Sequence, residues 1–91
     1  TAINQSLKVF PNPVSVEGTN IQFEIPETKS ITVYISDNSG KRIATLLDNK
    51  ITAAGLHNVK WTPSDEISNG IYYLCFVSGM KATLRKMVFI R

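Results

Sequence analysis

Apolar and polar residues alternate along this chain with a period of two, whereas the helical period of about 3.6 residues is absent. The alternation is regular in Ile21–Ile25 and in Ile31–Ile35, where Ile31, Val33 and Ile35 share one face. Because successive side chains of a strand point to opposite faces, this pattern predicts β-strands that each bury one side. The sequence therefore predicts an all-β fold.

Turn residues separate seven segments of this kind. Gly40 ends the stretch Ser36–Gly40 and supplies a positive φ for a hairpin turn, and Gly55, Gly70 and Gly79 mark three further turns. The predicted strands are Leu7–Phe10, Ile21–Ile25, Ile31–Ile35, Arg42–Leu47, His57–Trp61, Ile71–Val77 and Thr83–Ile90. Seven short strands in 91 residues are typical of an antiparallel Ig-like β-sandwich. Cys75 is the only cysteine, so we expect the sandwich without the Ig disulfide.

The last two predicted strands differ in their patterns. Ile71–Val77 is apolar on both faces, which favours a central strand covered on both sides. Thr83–Ile90 places Leu84, Val88 and Ile90 on one face, with Met87 and Phe89 on the other.

Length and composition limit the chain to a single domain, residues 1–91, with one modest core. A hydrophobic share of 43% excludes disorder, and no apolar run approaches the roughly 20 residues that span a bilayer, so we expect no direct membrane insertion. The chain begins at Thr1 without a recognisable signal peptide. We expect a piece of a longer protein, with residues 1–6 the end of an upstream linker.

The charges are unevenly distributed. Residues 1–66 carry six basic and seven acidic side chains, whereas residues 67–91 carry four basic side chains, Lys81, Arg85, Lys86 and Arg91, and no acid. This end has neither a base-stacking motif nor a glycine-rich phosphate loop, so the sequence does not favour a nucleic-acid partner. Cations along a terminal strand also discourage edge-to-edge aggregation.

Pro11, Asn12 and Pro13 follow the first predicted strand directly. Proline has no N–H group to continue a sheet ladder, and the residue before a proline is pushed to extended backbone. The segment is therefore predicted to leave the strand as a stiff corner, and the Asn12 amide is expected to tie that corner to a neighbouring loop.

No group of residues in the sequence specifies an enzyme or a cofactor. His57 is the only histidine and fits a partly exposed strand end, and Cys75 fits a small buried hydrophobic residue. Asp65 and Glu66 favour a solvated loop, since neighbours on an extended chain point apart. A loose Ca²⁺ site, with Asp37 and Asp48 as further donors, is the alternative.

The aromatic residues allow two interpretations. Trp61 with Tyr34, Tyr72 and Tyr73 could form a platform on which a sugar stacks. Aromatic residues that alternate with aliphatic ones more often pack in the core or on a sheet face, and this is the favoured interpretation.

Four stretches resemble, in order and over nearly the whole chain, the C-terminal sorting domains of the type IX secretion system. Val9–Pro13 resembles the "yPNP" opening of that family, and the hairpin Val33–Ile43, with Asp37 and Gly40, resembles its "v-x-i-x-D-x-x-G-x-x-v" motif. Ser68–Leu74 resembles the "l-x-x-G-i-Y-f-v" strand, and Thr83–Arg91 resembles the closing "t-x-k-i-x-i-x-k" strand.

One stretch is also similar to the Ig-like domain of the flagellar hook-capping protein. Ala54–Trp61, followed by Gly70–Tyr73, resembles the "aGxHxvxWdGxd…sGvYfyr" motif of that domain. Thr62–Asp65 replaces the acidic-glycine turn after the tryptophan, which favours the tail of a secreted protein over a role in hook assembly.

The resemblance implies a non-catalytic C-terminal signal that directs an upstream cargo domain from the periplasm of a Gram-negative bacterium across the outer membrane. The implied partners are the type IX translocon and a sortase-like peptidase, which cuts in the linker and links the cargo to an anionic lipopolysaccharide at the cell surface. The residues implied in translocon recognition are Gly70, Tyr72, Lys81, Arg85, Lys86 and Arg91. The alternatives are a carbohydrate-binding accessory module and a structural Ig-like or fibronectin-like spacer of a secreted multidomain hydrolase.

Overall fold

The computed structural model describes residues 7–91, which form seven strands and no helix. The strands are β1 (Lys8–Ser15), β2 (Gly18–Ile25), β3 (Lys29–Asp37), β4 (Arg42–Thr52), β5 (Gly55–Trp61), β6 (Gly70–Ser78) and β7 (Lys81–Phe89). The predicted all-β class and all seven predicted strands are confirmed. The expected linker, residues 1–6, lies outside the described residues.

The strands are hydrogen-bonded in the order β4-β3-β6-β7-β1-β2-β5. β1 pairs with β2 on one side and with β7 on the other, so it joins a β1-β2-β5 layer to a β4-β3-β6-β7 layer. Every pair is antiparallel except β1 and β7, which are parallel at Val14 and Phe89. The predicted antiparallel arrangement therefore holds for five of the six pairs, and the complete sheet is mixed.

The core lies between the inner faces of the two layers. The ring centroids of Phe23 on β2 and Phe76 on β6 are 4.9 Å apart, which shows that the layers pack face to face. The buried cluster comprises Leu7, Val14, Ile21, Phe23, Ile25, Ile31, Val33, Ile35, Trp61, Tyr72, Leu74, Phe76, Met87 and Phe89. Alternate residues of β2, β3, β6 and β7 supply most of this cluster, as the period-two pattern predicts, and partly buried residues of β4 pack against it.

β6 lies between β3 and β7 and is central, as predicted. The prediction that it is covered on both sides holds at Cys75, which is buried on the side away from the core, but not along the whole strand. Its inner face packs in the core, whereas on its outer face Ile71 is 37% exposed and Tyr73 is half-buried. The apolar residues of that outer face contact neighbouring strands of the same sheet rather than a further layer.

Gly18, at the start of β2, is required by a close backbone approach that the sequence analysis did not identify. Its φ is +97°, and a Cβ atom at this position would lie 2.4 Å from the backbone oxygen of Trp61. Because glycine has no Cβ atom, it is the residue that can adopt this φ and fit beside the Trp61 oxygen. Gly18 therefore lets β2 begin directly beside the end of β5.

Candidate functional site

The Pro-Asn-Pro corner does not end β1, contrary to the prediction. β1 pairs with β2 through Phe10, the register shifts between Phe10 and Ser15, and Val14 then pairs with β7. The peptide bonds before Pro11 and Pro13 are both cis. Because the prolines have no N–H groups, the backbone ladder is interrupted here, and the strand passes from one layer to the other.

Asn12 bridges this interruption with its side chain. Its Nδ2 donates to the backbone oxygen of Lys86 at 3.1 Å, and its Oδ1 accepts from the backbone N–H of Val88 at 3.2 Å. A residue in a parallel ladder makes the same two contacts with its backbone. The prediction that Asn12 ties the corner to a loop is therefore wrong, since its partner is strand β7.

Buried Thr19 fixes the corner from the other layer. Its hydroxyl donates to the backbone oxygen of Pro11 at 2.9 Å. The corner is thus hydrogen-bonded to β2 through Thr19 and to β7 through Asn12. Thr19 lies on the next strand and Lys86 is 74 residues from Asn12, so the corner holds the two layers together.

Asp37 organises the turn between β3 and β4. Its Oδ1 accepts the backbone N–H of Ser39 at 2.9 Å, the Ser39 hydroxyl at 2.7 Å and the backbone N–H of Lys41 at 2.9 Å. These hydrogen bonds, led by the one from the Ser39 hydroxyl, lower the pKa of the Asp37 carboxyl. Gly40 has the predicted positive φ, +92°. Asp37 therefore has a structural role within the turn.

The six residues implied in recognition are not brought together in one patch. Lys81 begins β7 and Arg91 lies beyond its end, so along an extended strand they are roughly 30 Å apart. Lys86 is exposed on the side of the sheet that points away from the core, whereas Tyr72 points inward and is buried. Arg85 is half-buried, and Gly70 pairs with Phe89 at the end of the sheet.

Arg91 and Tyr72 fasten the segment 64–69, which connects β5 to β6. The Arg91 guanidinium donates to the backbone oxygens of Ser64, at 3.1 Å, and Ile67. Its backbone N–H donates to Asn69 Oδ1 at 2.8 Å. The Tyr72 hydroxyl donates to the backbone oxygen of Ser68 at 2.6 Å. Both residues therefore hold this segment in place.

The fastened segment and the β3–β4 turn line an open groove of about 430 Å³. Asp37, Asn38 and Ser39 form one side, and residues 68–72 form the other. The groove is open, and few of its polar groups are available to a ligand. The Asp37 carboxylate, the Ser39 hydroxyl, the Asn69 amide oxygen and the Tyr72 hydroxyl already make the hydrogen bonds described above.

Trp61 lies in the core and is 5% exposed. Tyr72 is also buried, and only Tyr34 and Tyr73 reach the surface in part. The aromatic platform of the sugar-binding alternative would need the indole ring of Trp61 on a flat surface. The structure thus favours the packing interpretation of these aromatic residues.

The other candidate residues for chemistry are dispersed. Residues 7–91 contain no group of three or more His, Cys, Asp and Glu side chains placed to hold a metal ion. His57 is half-buried, with Nε2 2.6 Å from the Ala53 oxygen and its ring stacked on Phe23. Cys75 is a buried free thiol. The described part of the chain has no helix with the length and apolar character that a membrane crossing requires.

The structure reveals an exposed surface that the sequence analysis missed. We call it the outer face: Tyr34 of β3, Arg42 of β4, Ile71 and Tyr73 of β6, and Leu84, Lys86 and Val88 of β7. In the register of the sheet, Arg42, Ser36, Tyr73 and Lys86 form one row, and Tyr34, Cys75 and Leu84 form the next. The alternating pattern of β7 indicates that one side of this strand is exposed. The apolar residues on both sides of β6 predict burial instead, so the sequence alone does not reveal the complete surface.

The family described as "Secretion system C-terminal sorting domain" matches residues 8–91 of the chain. The chain therefore belongs to this family. As a sorting domain of the type IX secretion system, it is a C-terminal signal for secretion, and it functions with the machinery of that system. Such a signal directs the protein that carries it to the surface or the outside of a Gram-negative cell.

The fold is similar to part of a solved structure of PorZ, described as an essential bacterial surface component of the type-IX secretion system of Porphyromonas gingivalis. The two share 19% sequence identity with a TM-score of 0.70, over 100% of this chain and 12% of that chain. This likeness supports the fold. No curated protein matches the chain.

Proposed function

We propose that this domain is a non-catalytic tag that the outer-membrane translocon of the type IX system recognises on a cargo protein arriving in the periplasm. The observation that carries the proposal is the family match over residues 8–91, on a sandwich whose polar residues serve its own turns and corners. A folded tag of this kind presents a fixed surface to a receptor without altering the cargo.

We further propose that a sortase-like peptidase removes the domain within the linker that precedes β1. The corner at Pro11–Pro13 supports this proposal, because it binds the first strand firmly to both layers. A peptidase needs an extended, accessible substrate, so the rigid sandwich would resist cleavage while the segment before it would be cut.

The test is the export of a reporter. Residues 1–91 are fused to the C-terminus of a periplasmic reporter, in a host with the type IX translocon and in the same host without it. We expect extracellular reporter only when both the domain and the translocon are present, and a mass consistent with a cut before β1. Reporter that stays in the periplasm of the complete host would contradict the sorting function.

Deletion of the last strand is not a suitable control. β7 lies between β6 and β1 and contributes Met87 and Phe89 to the core, so its removal would unfold the sandwich. The reporter without residues 1–91 is the better comparison. A spacer domain, the remaining structural alternative, would leave export unchanged when residues 1–91 are removed.

A further inference from the structure

The outer face differs in composition from the exposed face of the opposite layer. In the β1-β2-β5 layer, the side chains that alternate with the core residues are mostly polar. We call these residues the polar face: Asn20, Gln22 and Glu24 of β2, and Leu56, Asn58 and Lys60 of β5. Leu56 is the one large aliphatic side chain among them, and Phe10 of β1, which lies opposite Asn20 and is 43% exposed, adds one aromatic ring to this side, whereas the outer face has several apolar side chains.

The outer face combines apolar contact area with cations. Leu84 is 60% exposed and Ile71 is 37% exposed, and among the described residues no further layer covers them. Tyr73 lies between them and is half-buried. Adjacent apolar side chains on one side of a sheet, flanked by polar groups, have the composition of a protein-interaction surface rather than of an ordinary solvated face.

The charges on the outer face are positive. Arg42 and Lys86 lie at the two ends of one row across four strands, and the Arg42 guanidinium lies 3.8 Å over the Tyr34 ring. Residues 67–91, which include β6 and β7, contain no acidic residue. The acid of β3, Asp37, pairs with inward-pointing Tyr72 and is bound within its turn. The acid of β4, Asp48, is exposed six residues beyond Arg42 along that strand.

From this arrangement we infer that the outer face is the surface by which the domain docks on its export receptor, and that the receptor offers an apolar patch flanked by carboxylates. Leu84, Ile71 and Tyr73 form the centre of the contact, and Arg42 and Lys86 pair with the flanking acids. Complementary charge of this kind orients the partners and raises the rate of encounter. The inference rests on the proposed sorting function and identifies the site within the domain.

The chain offers a closely matched pair of variants for the test. Leu84 is 60% exposed and Leu56 is 58% exposed, and each shares its face and strand with an exposed lysine, Lys86 two residues from Leu84 and Lys60 four residues from Leu56. L84D/K86E and L56D/K60E therefore make the same chemical changes and the same change in net charge on opposite faces. A milder pair, L84T/K86Q and L56T/K60Q, serves if the first pair fails to fold.

The variants are tested as reporter fusions, and folding is checked by thermal unfolding of the purified chains. We expect L84D/K86E to reduce extracellular reporter by at least about tenfold, because the loss of a central interface contact lowers the affinity for a partner by more than about tenfold. We expect L56D/K60E to be exported like the parent. Equal export of the two folded variants, or equal retention, would overturn the inference.

Further measurements separate this inference from its rivals. If the parent fusion itself is not exported, the proposed sorting function is wrong. If the parent and L84D/K86E are exported equally, the sorting function stands but the outer face is not the docking surface. Light scattering that shows a concentration-dependent dimer, lost in L84D/K86E, would assign the face to a second copy instead. Binding to phosphatidylglycerol vesicles that L84D/K86E abolishes would assign it to lipid, and either result overturns a protein receptor.

Discussion

Asn12 lies opposite Met87 and substitutes its side-chain amide for the backbone of a parallel strand. The amide donates to the oxygen of Lys86 and accepts from the N–H of Val88, the two backbone groups on either side of Met87. Two residues further along the same direction, Ile90 N–H donates to the Val14 oxygen at 2.9 Å and the true backbone ladder resumes. The two prolines on either side of Asn12 have no N–H groups to offer a neighbouring strand, so the backbone ladder is interrupted at this corner.

We predict that Asn12→Ala lowers the free energy of unfolding by about 1–2 kcal/mol, since two hydrogen bonds to β7 are lost. Asn12→Asp should cost at least as much near neutral pH, because its carboxylate can accept from Val88 but repels the Lys86 oxygen. Chemical denaturation measures both. The control is Asn58→Ala on β5, which is exposed and for which we expect a change near zero. Equal effects at the two positions would contradict the bridging role of Asn12.

The structural role of Asn12 shows where sequence reasoning reached its limit. The prolines correctly predicted an interruption of the ladder, because their chemistry is local. The partner of the amide lies 74 residues away, at Lys86, and no local pattern points to it. The same limit applies to Gly18, whose close contact is the distant backbone of Trp61.

The strands themselves could be predicted, because most of them bury alternate side chains in a single core. Thr83–Ile90 was divided correctly, with Met87 and Phe89 buried and with Leu84 and Ile90 exposed. The prediction that Ile71–Val77 is covered on both sides does not hold along the whole strand. An apolar strand has the same pattern whether a further layer or a binding partner covers its second face. The roles of the six recognition candidates remain predictions, although Arg91 and Tyr72 have clear structural partners.

We predict that Gly18→Ala destabilises the domain by at least about 3 kcal/mol, because the added Cβ combines an unfavourable positive φ with a clash against the Trp61 oxygen. Gly79→Ala is the matched control, since its φ of +62° is also positive but a Cβ would meet open space. We expect the control to cost about 1–2 kcal/mol. Thermal or chemical unfolding of both variants measures the difference, and a smaller loss for Gly18→Ala would refute the close contact.

The turn held by Asp37 should make part of the stability depend on pH. Its carboxyl has a folded-state pKa below the ordinary value of 3.8, so the folded state favours the carboxylate. The resulting stability is present above the unfolded pKa and is lost as the pH falls through the folded pKa. We expect the parent to lose more stability than Asp37→Asn between neutral pH and about pH 3. Parallel acid-dependent slopes for the two proteins would argue against this assignment.

Arg91 should control the order of segment 64–69. Lysine keeps the charge but lacks the planar fork that reaches both the Ser64 and the Ile67 oxygens. We therefore expect Arg91→Lys to speed amide hydrogen exchange in this segment by roughly an order of magnitude, with a loss in global stability of only about 1 kcal/mol. Ile67 N–H, which donates to the Ser64 oxygen at 3.1 Å, is the reporter amide. Lys86→Gln is the control and should leave its exchange unchanged.

Trp61 provides the test between core packing and sugar binding. Its ring is 5% exposed and belongs to the buried cluster, so Trp61→Ala should lower the free energy of unfolding by about 3–5 kcal/mol through the cavity it leaves. Leu56→Ala, on the polar face of the same strand, should cost far less because its side chain is 58% exposed. A denaturant titration compares the two variants. If Trp61→Ala were as mild as Leu56→Ala, the indole would have to lie at the surface in solution, and a sugar-binding platform would regain support.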